Sequence, residues 1–259
     1  MAETSTSSFN EDIFFSTVRI VTNEGNIGTG FCFCDEDENG VDSVFVVTNR
    51  HMVEGHTGGR LFCHKGKNGA PAFEQPVQCD VRSWSEWFCH PDPQVDVAVL
   101  HGSAVVRNEE IFNRSISASL FLNDDQPHAL GEVVFVGYPN GIFDAAHALP
   151  VARRGMIASF LNQDYNGRPC FLVDASVYGG SSGSPVFMLS SVLASKAPNS
   201  VSWGKRCYFI GIVAGTQVVP LQTVHTQTQS QPVPVEHLDL GVVFKARTIV
   251  ETIEAWKRR

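Results

Sequence analysis

The chain is poor in charge and has no basic stripe. Asp, Glu, Lys and Arg make up 18% of 259 residues, and 27 acidic against 19 basic side chains leave a formal net charge of −8. A surface of that sign repels nucleic acid and anionic membranes, so neither is expected as a partner. No apolar run approaches the roughly 20 residues that a membrane span requires. The start, Met1-Ala2-Glu3-Thr4-Ser5, has neither the cationic residues nor the apolar stretch of a secretory leader. A soluble, cytoplasmic protein is therefore expected. Cysteines are not present in pairs: seven stand at 32, 34, 63, 79, 89, 170 and 207. An odd count rules out a complete disulfide framework and reads as reduced thiols. Cys32-Phe33-Cys34 alternates along a strand, so both thiols face one side, and Cys63-His64 and Cys89-His90 offer further ligand types. Their spacing follows no zinc pattern; no metal and no cofactor is expected, with a zinc-binding adaptor as the distant alternative.

Hydrophobic helix-period segments are also nearly absent before the end. In their place, short β-rich runs recur between turn signals: Thr17 to Thr22, Ile27 to Cys34, Ser43 to Thr48, Gln78 to Val81 and Asp96 to Leu100. A second series follows at Glu132 to Gly137, Pro150 to Phe160, Cys170 to Asp174, Pro185 to Met188, Cys207 to Val213 and Leu240 to Phe244. Two series of this kind predict an all-β fold of two antiparallel barrels rather than an α/β fold. The expected organisation is a tail over 1–16, a first barrel over 17–120 and a second over 121–259. The last segment, 246–259, changes period: Ala246, Ile249, Val250, Ile253 and Trp256 share one helical face, suited to packing on the second barrel. Loops are expected at about Asp35 to Asp42, His56 to Gln75 and Gln217 to His237.

The chemistry concentrates in three places. Gly180-Ser181-Ser182-Gly183-Ser184-Pro185 holds a serine between glycines on a tight turn, where a substrate carbonyl can approach backbone N–H groups. A serine hydroxyl is a weak nucleophile at neutral pH and needs an imidazole to take its proton and a carboxylate to orient that imidazole. His51, in Val47-Thr48-Asn49-Arg50-His51, and Asp96, in Val95-Asp96-Val97-Ala98, supply them. The competitors fit less well. His56, His64 and His101 read as surface or loop histidines, Asp92 in Pro91-Asp92-Pro93 as a turn residue, and Ser181 and Ser184 as worse-placed hydroxyls. Residue 184 is Ser, so the Gly-x-Ser-x-Gly elbow of α/β-hydrolases is absent.

His51, Asp96 and Ser182 in that order, 45 and 86 positions apart, resemble the trypsin/chymotrypsin superfamily, and most of all its HtrA/Deg type. Gly28-Thr29-Gly30-Phe31, Gly131 to Pro139, Asp174-Ala175-Ser176-Val177 and Gly211 to Gly215 extend the likeness over most of the chain from residue 17. The resemblance implies a chymotrypsin-like pair of six-stranded antiparallel β-barrels with a C-terminal α-helix. It implies a serine endopeptidase acting on protein or peptide substrates, with His51, Asp96 and Ser182 as triad and the N–H groups of Gly180 and Ser182 as oxyanion hole. Ser176 would lie at the base of the primary pocket, with Val213, Ala214, Gly215 and Gly241 on its walls. None of these is a carboxylate, which disfavours Lys or Arg substrates. Ser181 stands where secreted relatives carry an aspartate, so control by ordering of the oxyanion loop, through substrate, an activating partner or a homo-oligomer, is expected instead of zymogen cleavage. The alternative is a catalytically silent binding or scaffold protein that keeps the fold.

Overall fold

The computed structural model describes residues 6–36, 40, 42–102, 108–122, 130–197, 200–220 and 235–259. No described helix is long and apolar enough to cross a membrane. The expected tail is helical over most of its length, as α1 (Thr6–Ser16). Its anchor is apolar: Ile13 is buried in the core with Phe14 packed beside it, and the Ser16 hydroxyl closes the last turn on Ile13 O at 2.7 Å.

The first half is a curved half-barrel. Its strands are β1 (Thr17–Thr22), β2 (Ile27–Glu36), β3 (Asp42–Thr48), β4 (Gly59–Cys63), β7 (Val77–Val81), β8 (Phe88–Cys89), β9 (Ala98–His101) and β10 (Ile116–Ser117), with a small hairpin of β5 (Gly66–Lys67) and β6 (Ala70–Pro71) beside them. The order is β7-β4-β1-β2-β3-β9-β8, and β10 pairs with β2. The second half closes fully as β11-β12-β13-β16-β15-β14, from β11 (Glu132–Gly137), β12 (Val151–Ile157), β13 (Cys170–Asp174), β14 (Pro185–Ala197), β15 (Ser200–Pro220) and β16 (Val235–Lys245). The plan of two antiparallel β units and a closing helix is the expected one.

Two details differ from expectation. The segment read as a loop over His56 to Gln75 contains β4, which pairs with both β1 and β7; its Gly-Arg-Leu-Phe-Cys run is short and lies among glycines and lysines that mask its alternation. The strands of the second barrel also outrun their apolar runs. β14 and β15 pair as far as Ala197↔Ser200 and β15 and β16 as far as Pro220↔Val235, so two ribbons continue past the barrel. Residues 221–234 of the third expected loop, and 37–39 and 41 of the first, lie outside the described residues.

Alternation builds the interface between the halves. On β2 and β3, Phe31, Phe33, Phe45 and Val47 face the shared core, while Cys32 and Val46 face the core of the first half. β15 would break this pattern if it were regular, because Phe209 and Ile212 enter the shared core while Ile210 and Val213 enter the second barrel. The register shift opposite Val186/Phe187 is the bulge that resets the phase. Phe209 then packs against Phe31 at 5.5 Å and Phe187 at 5.6 Å between ring centroids. The closing helix α2 (Arg247–Lys257) buries Ile249 and Ile253 there too. Its end reaches the first half rather than only the second: Trp256 stacks on His101 at 5.2 Å and packs edge-on against Phe45.

His64, expected as a loop histidine, is 6% exposed and packs on the ring of Phe15. Burial lowers its pKa from 6.5 to about 4. Between those values the unfolded chain binds the proton that the folded chain refuses, so stability falls as pH drops through the window. The expected loss is about 3 kcal/mol on going from pH 7 to below pH 4. Urea midpoints across that range check it; His64→Gln should flatten the dependence.

Candidate active site

β3 ends at Thr48, and the chain turns through a single 3-10 turn, Arg50–Met52, that carries His51. Asp96 lies just before β9, the neighbour of β3, so strand pairing brings the two together. Asp96 Oδ2 is 2.6 Å from His51 Nδ1, and Oδ1 accepts the His51 backbone N–H at 3.0 Å. With both carboxylate oxygens engaged, the imidazole is oriented by one rigid group. Asn49 Nδ2 donates to Asp96 O at 2.7 Å, and Arg50 donates to the carbonyls of His90 and Asp92, tying the loop that bears Asp96 to the turn that bears His51. The side chains of His51 and Asp96 are 46% and 23% exposed.

The competing residues are occupied elsewhere. Asp92 accepts Gln94 N–H, as a turn residue does. His56 pairs with Glu24 and His101 stacks on Trp256. Ser181 and Ser184 are buried at 1% and 0%, whereas Ser182 keeps solvent access.

The serine turn is held by backbone contacts. Gly180 and Gly183 adopt φ of +83° and +85°; a Cβ at Gly183 would lie 1.8 Å from Thr29 O, and one at Gly180 would lie 2.3 Å from Tyr138 O. Only glycine meets both the dihedral and the contact. The amides of Ser181, Gly183 and Ser184 donate to Tyr178 O, Val213 O and Ser181 O. Among the described residues the amides of Gly180 and Ser182 have no acceptor, which leaves two N–H groups free to bind an anionic oxygen. Asn140 N donates to Gly179 O at 2.5 Å and so fixes the plane of the peptide that carries the Gly180 N–H.

The Ser182 hydroxyl is bonded to Ala214 O at 3.2 Å and not to His51. Ala214 is the extra residue of a bulge between Val213 and Gly215 on β15, which turns its carbonyl toward the serine. Of the remaining residues expected around a substrate pocket, Ser176, Ala214 and Gly215 are partly exposed. Val213 differs: its side chain is fully buried in the barrel core, and its backbone pairs with Gly183 and Ser184. Gly241 is buried, and the room left by its missing side chain is filled by Val173 and Val177.

Thr29 lies in the glycine-rich stretch Gly28-Thr29-Gly30-Phe31. It is fully buried at the centre of the site: its N–H donates to Ser182 O at 2.9 Å, its hydroxyl donates to Gly180 O at 2.8 Å and accepts Tyr138 N–H at 3.1 Å, and its carbonyl accepts the Thr48 hydroxyl at 2.8 Å. No local signal marks it, because all four partners are distant in sequence. Thr29→Val keeps the shape and strands two buried polar groups, so it should lower the unfolding free energy by about 3 kcal/mol. Denaturant titration checks this, with Thr29→Ser expected to restore most of the loss.

All seven cysteines are unpaired. Among the described residues no three His, Cys, Asp or Glu side chains gather into a metal site. Cys63 on β4 is diagonal to Cys79 on β7, since Leu61 pairs with Cys79 and Cys63 with Val77. A hydrogen bond from the Cys63 thiol pulls the half-buried Cys79 below the usual thiol range, while burial raises Cys32 and Cys207. Cys79 should therefore be alkylated first by iodoacetamide at neutral pH, which peptide mapping by mass spectrometry reads directly.

The family described as "Trypsin-like peptidase domain" matches residues 28–194. No curated protein matches the chain. Solved structures similar to it include Rv3671c from M. tuberculosis H37Rv in an inactive form, a serine-to-alanine mutant, at 18% identity and TM-score 0.48 over 98% of this chain and 95% of that one. The scabies mite inactivated protease paralogue S-I1 follows at 15% identity and TM-score 0.48, over 96% and 98% of the two chains. The thermostable serine protease AL20 from an extremophilic microorganism has 12% identity and TM-score 0.46, over 95% and 97%.

Proposed function

The chain belongs to the trypsin-like peptidase family, and from that premise we propose that it is a serine endopeptidase. The observation that carries this reading is the division of labour between the halves. One supplies an imidazole held by a carboxylate at 2.6 Å; the other supplies a serine on a turn with two unengaged N–H groups.

In this reading Ser182 Oγ leaves Ala214 O by rotation about χ1 and gives its proton to His51 Nε2 as it attacks the scissile carbonyl carbon. The N–H groups of Gly180 and Ser182 receive the negative oxygen, each such donor contributing about 10²–10³ in rate. The intermediate collapses, His51 returns the proton to the departing amine, and an acyl-enzyme remains. Water, deprotonated by His51, then releases the acid. Asp96 stabilises the imidazolium in both halves of the cycle. Of the expected pocket residues, Ser176, Ala214 and Gly215 keep partial exposure and carry no charge, which favours small or medium apolar substrate side chains over Lys and Arg. Regulation by loop ordering would act on the Asn140 N to Gly179 O bond: when it breaks, the peptide can flip and withdraw the Gly180 N–H. A partner, a second copy or the substrate itself are the agents this leaves open.

A silent, protease-fold binding protein is the second reading, and the Ser182 hydroxyl bonded to Ala214 O favours it. Fluorophosphonate labelling separates the two. The peptidase reading expects stoichiometric labelling of wild type, none of Ser182→Ala, and a fall of about 10⁴-fold in kcat for Asp96→Asn with KM little changed. Wild type that neither labels nor cleaves any protein in a lysate would support the silent reading.

A further inference from the structure

We propose that the cavity beside His51 is a subsite for an acidic side chain of the substrate, with Arg168 as its recognition residue; the proposal deepens the peptidase reading and rests on it. The cavity has a volume of about 430 Å³, and its walls include Arg50, His51, Glu54, Gln94, Asp96 and Arg168. All but Arg168 come from the first half. Arg168 arrives from the turn before β13 and crosses the divide, donating from Nη2 to Gln94 O at 3.2 Å. Its guanidinium carbon lies 5.3 Å from the centroid of the Phe244 ring. His51 and Asp96 are part of this wall, so in the peptidase reading a substrate attacked by Ser182 lies next to it.

Charge decides what fits. Asp96 is hydrogen-bonded by His51, and Arg50 donates to two backbone carbonyls and lies 3.7 Å from Glu54. Among the described residues no carboxylate approaches Arg168 within ion-pair distance, so it is the lining cation without an acidic partner. A guanidinium has five N–H donors on a planar fork, and the bond to Gln94 takes one of them. That bond and the Phe244 ring also hold the side chain in place before substrate arrives, so an incoming carboxylate gains a charge-assisted hydrogen bond with less ordering cost than at a free surface arginine. A Lys or Arg side chain in the same cavity meets Arg168 and Arg50 as like charges. The net charge of −8 does not overrule this local preference, because charges beyond about 8 Å are screened at physiological salt.

The test separates recognition from chemistry by using the Ser182→Ala protein. Fluorescein-labelled octapeptides of alanine and serine, each with a single Glu, Gln or Lys scanned through the sequence, are titrated and followed by anisotropy. At one scanned position Glu should bind about five-fold tighter than Gln, and Lys weaker than either. Arg168→Gln should remove the difference and Arg168→Lys should retain part of it, a pattern that a folding defect common to both variants does not produce. Equal binding of Glu and Gln at every position, or a Glu preference that survives Arg168→Gln, overturns the proposal. Acidic binding through Arg168 in a wild type that fails to label with fluorophosphonate would keep the subsite and remove the peptidase reading.

Discussion

The buried hydroxyl of Thr29 is the point on which the site depends. The two halves meet through a greasy core of phenylalanines, which supplies attraction without direction. Direction comes from four hydrogen bonds that converge on one residue of β2. They join the end of β3, from which the His51 turn departs, to the carbonyls of Gly180 and Ser182 and to the amide of Tyr138. A buried carbonyl left without a donor is costly, so these bonds select one relative position of the halves among the many that would bury the same aromatic area. The glycines at 137, 180 and 183 are the counterpart of this constraint. A side chain at Gly137 would strike the Thr29 and Ser184 hydroxyls, and one at Gly183 would strike the Thr29 carbonyl.

The same arrangement separates stiffness from freedom within the site. The imidazole is pinned by two contacts to one carboxylate, and the serine turn by its glycines, by Thr29 and by Asn140. Between them the Ser182 side chain has a single torsion, with its hydroxyl on the Ala214 carbonyl; the proposed reaction requires it to turn to the imidazole. A neutral hydrogen bond contributes only about 0.5–1.5 kcal/mol net, so the bond to Ala214 can be exchanged without disturbing the turn. Bulges on β15 serve the two sides of this geometry: one resets the strand so that Phe209 and Ile212 enter the interface, and the other turns Ala214 O to the serine.

The fold was legible where the chain obeys simple periods. The alternating runs of β1, β11 and β13 appear over the ranges read from the sequence, and the apolar stripe of 246–259 forms α2. Legibility failed where burial and pairing are decided by distant segments. Gly59 to Cys63 reads as loop because its neighbours are glycine, histidine and lysine, yet β1 and β7 flank it and complete its ladder. His64 reads as a loop residue and is buried, because α1, itself unannounced by any strong apolar stripe, brings Phe15 onto it. Val213 reads as a pocket wall and is core, because the bulge phases of β15 follow from pairing with β14 and β16.

What the sequence determined by itself is chemical inventory and order. Glycines beside Ser182, a histidine after an apolar strand and an aspartate before the next one are the groups the proposed reaction would use, and they are readable because residue type and local turn chemistry are carried by neighbours a few positions apart. What only the tertiary structure decided is relation: that Asp96 rather than Asp92 reaches His51, that Thr29 holds the serine turn, that α2 spans both halves, and that Arg168 reaches Gln94 across the divide. Each of these is a contact between segments dozens of residues apart. Such contacts are set by closing the sheets and burying the shared core, and no local pattern encodes them.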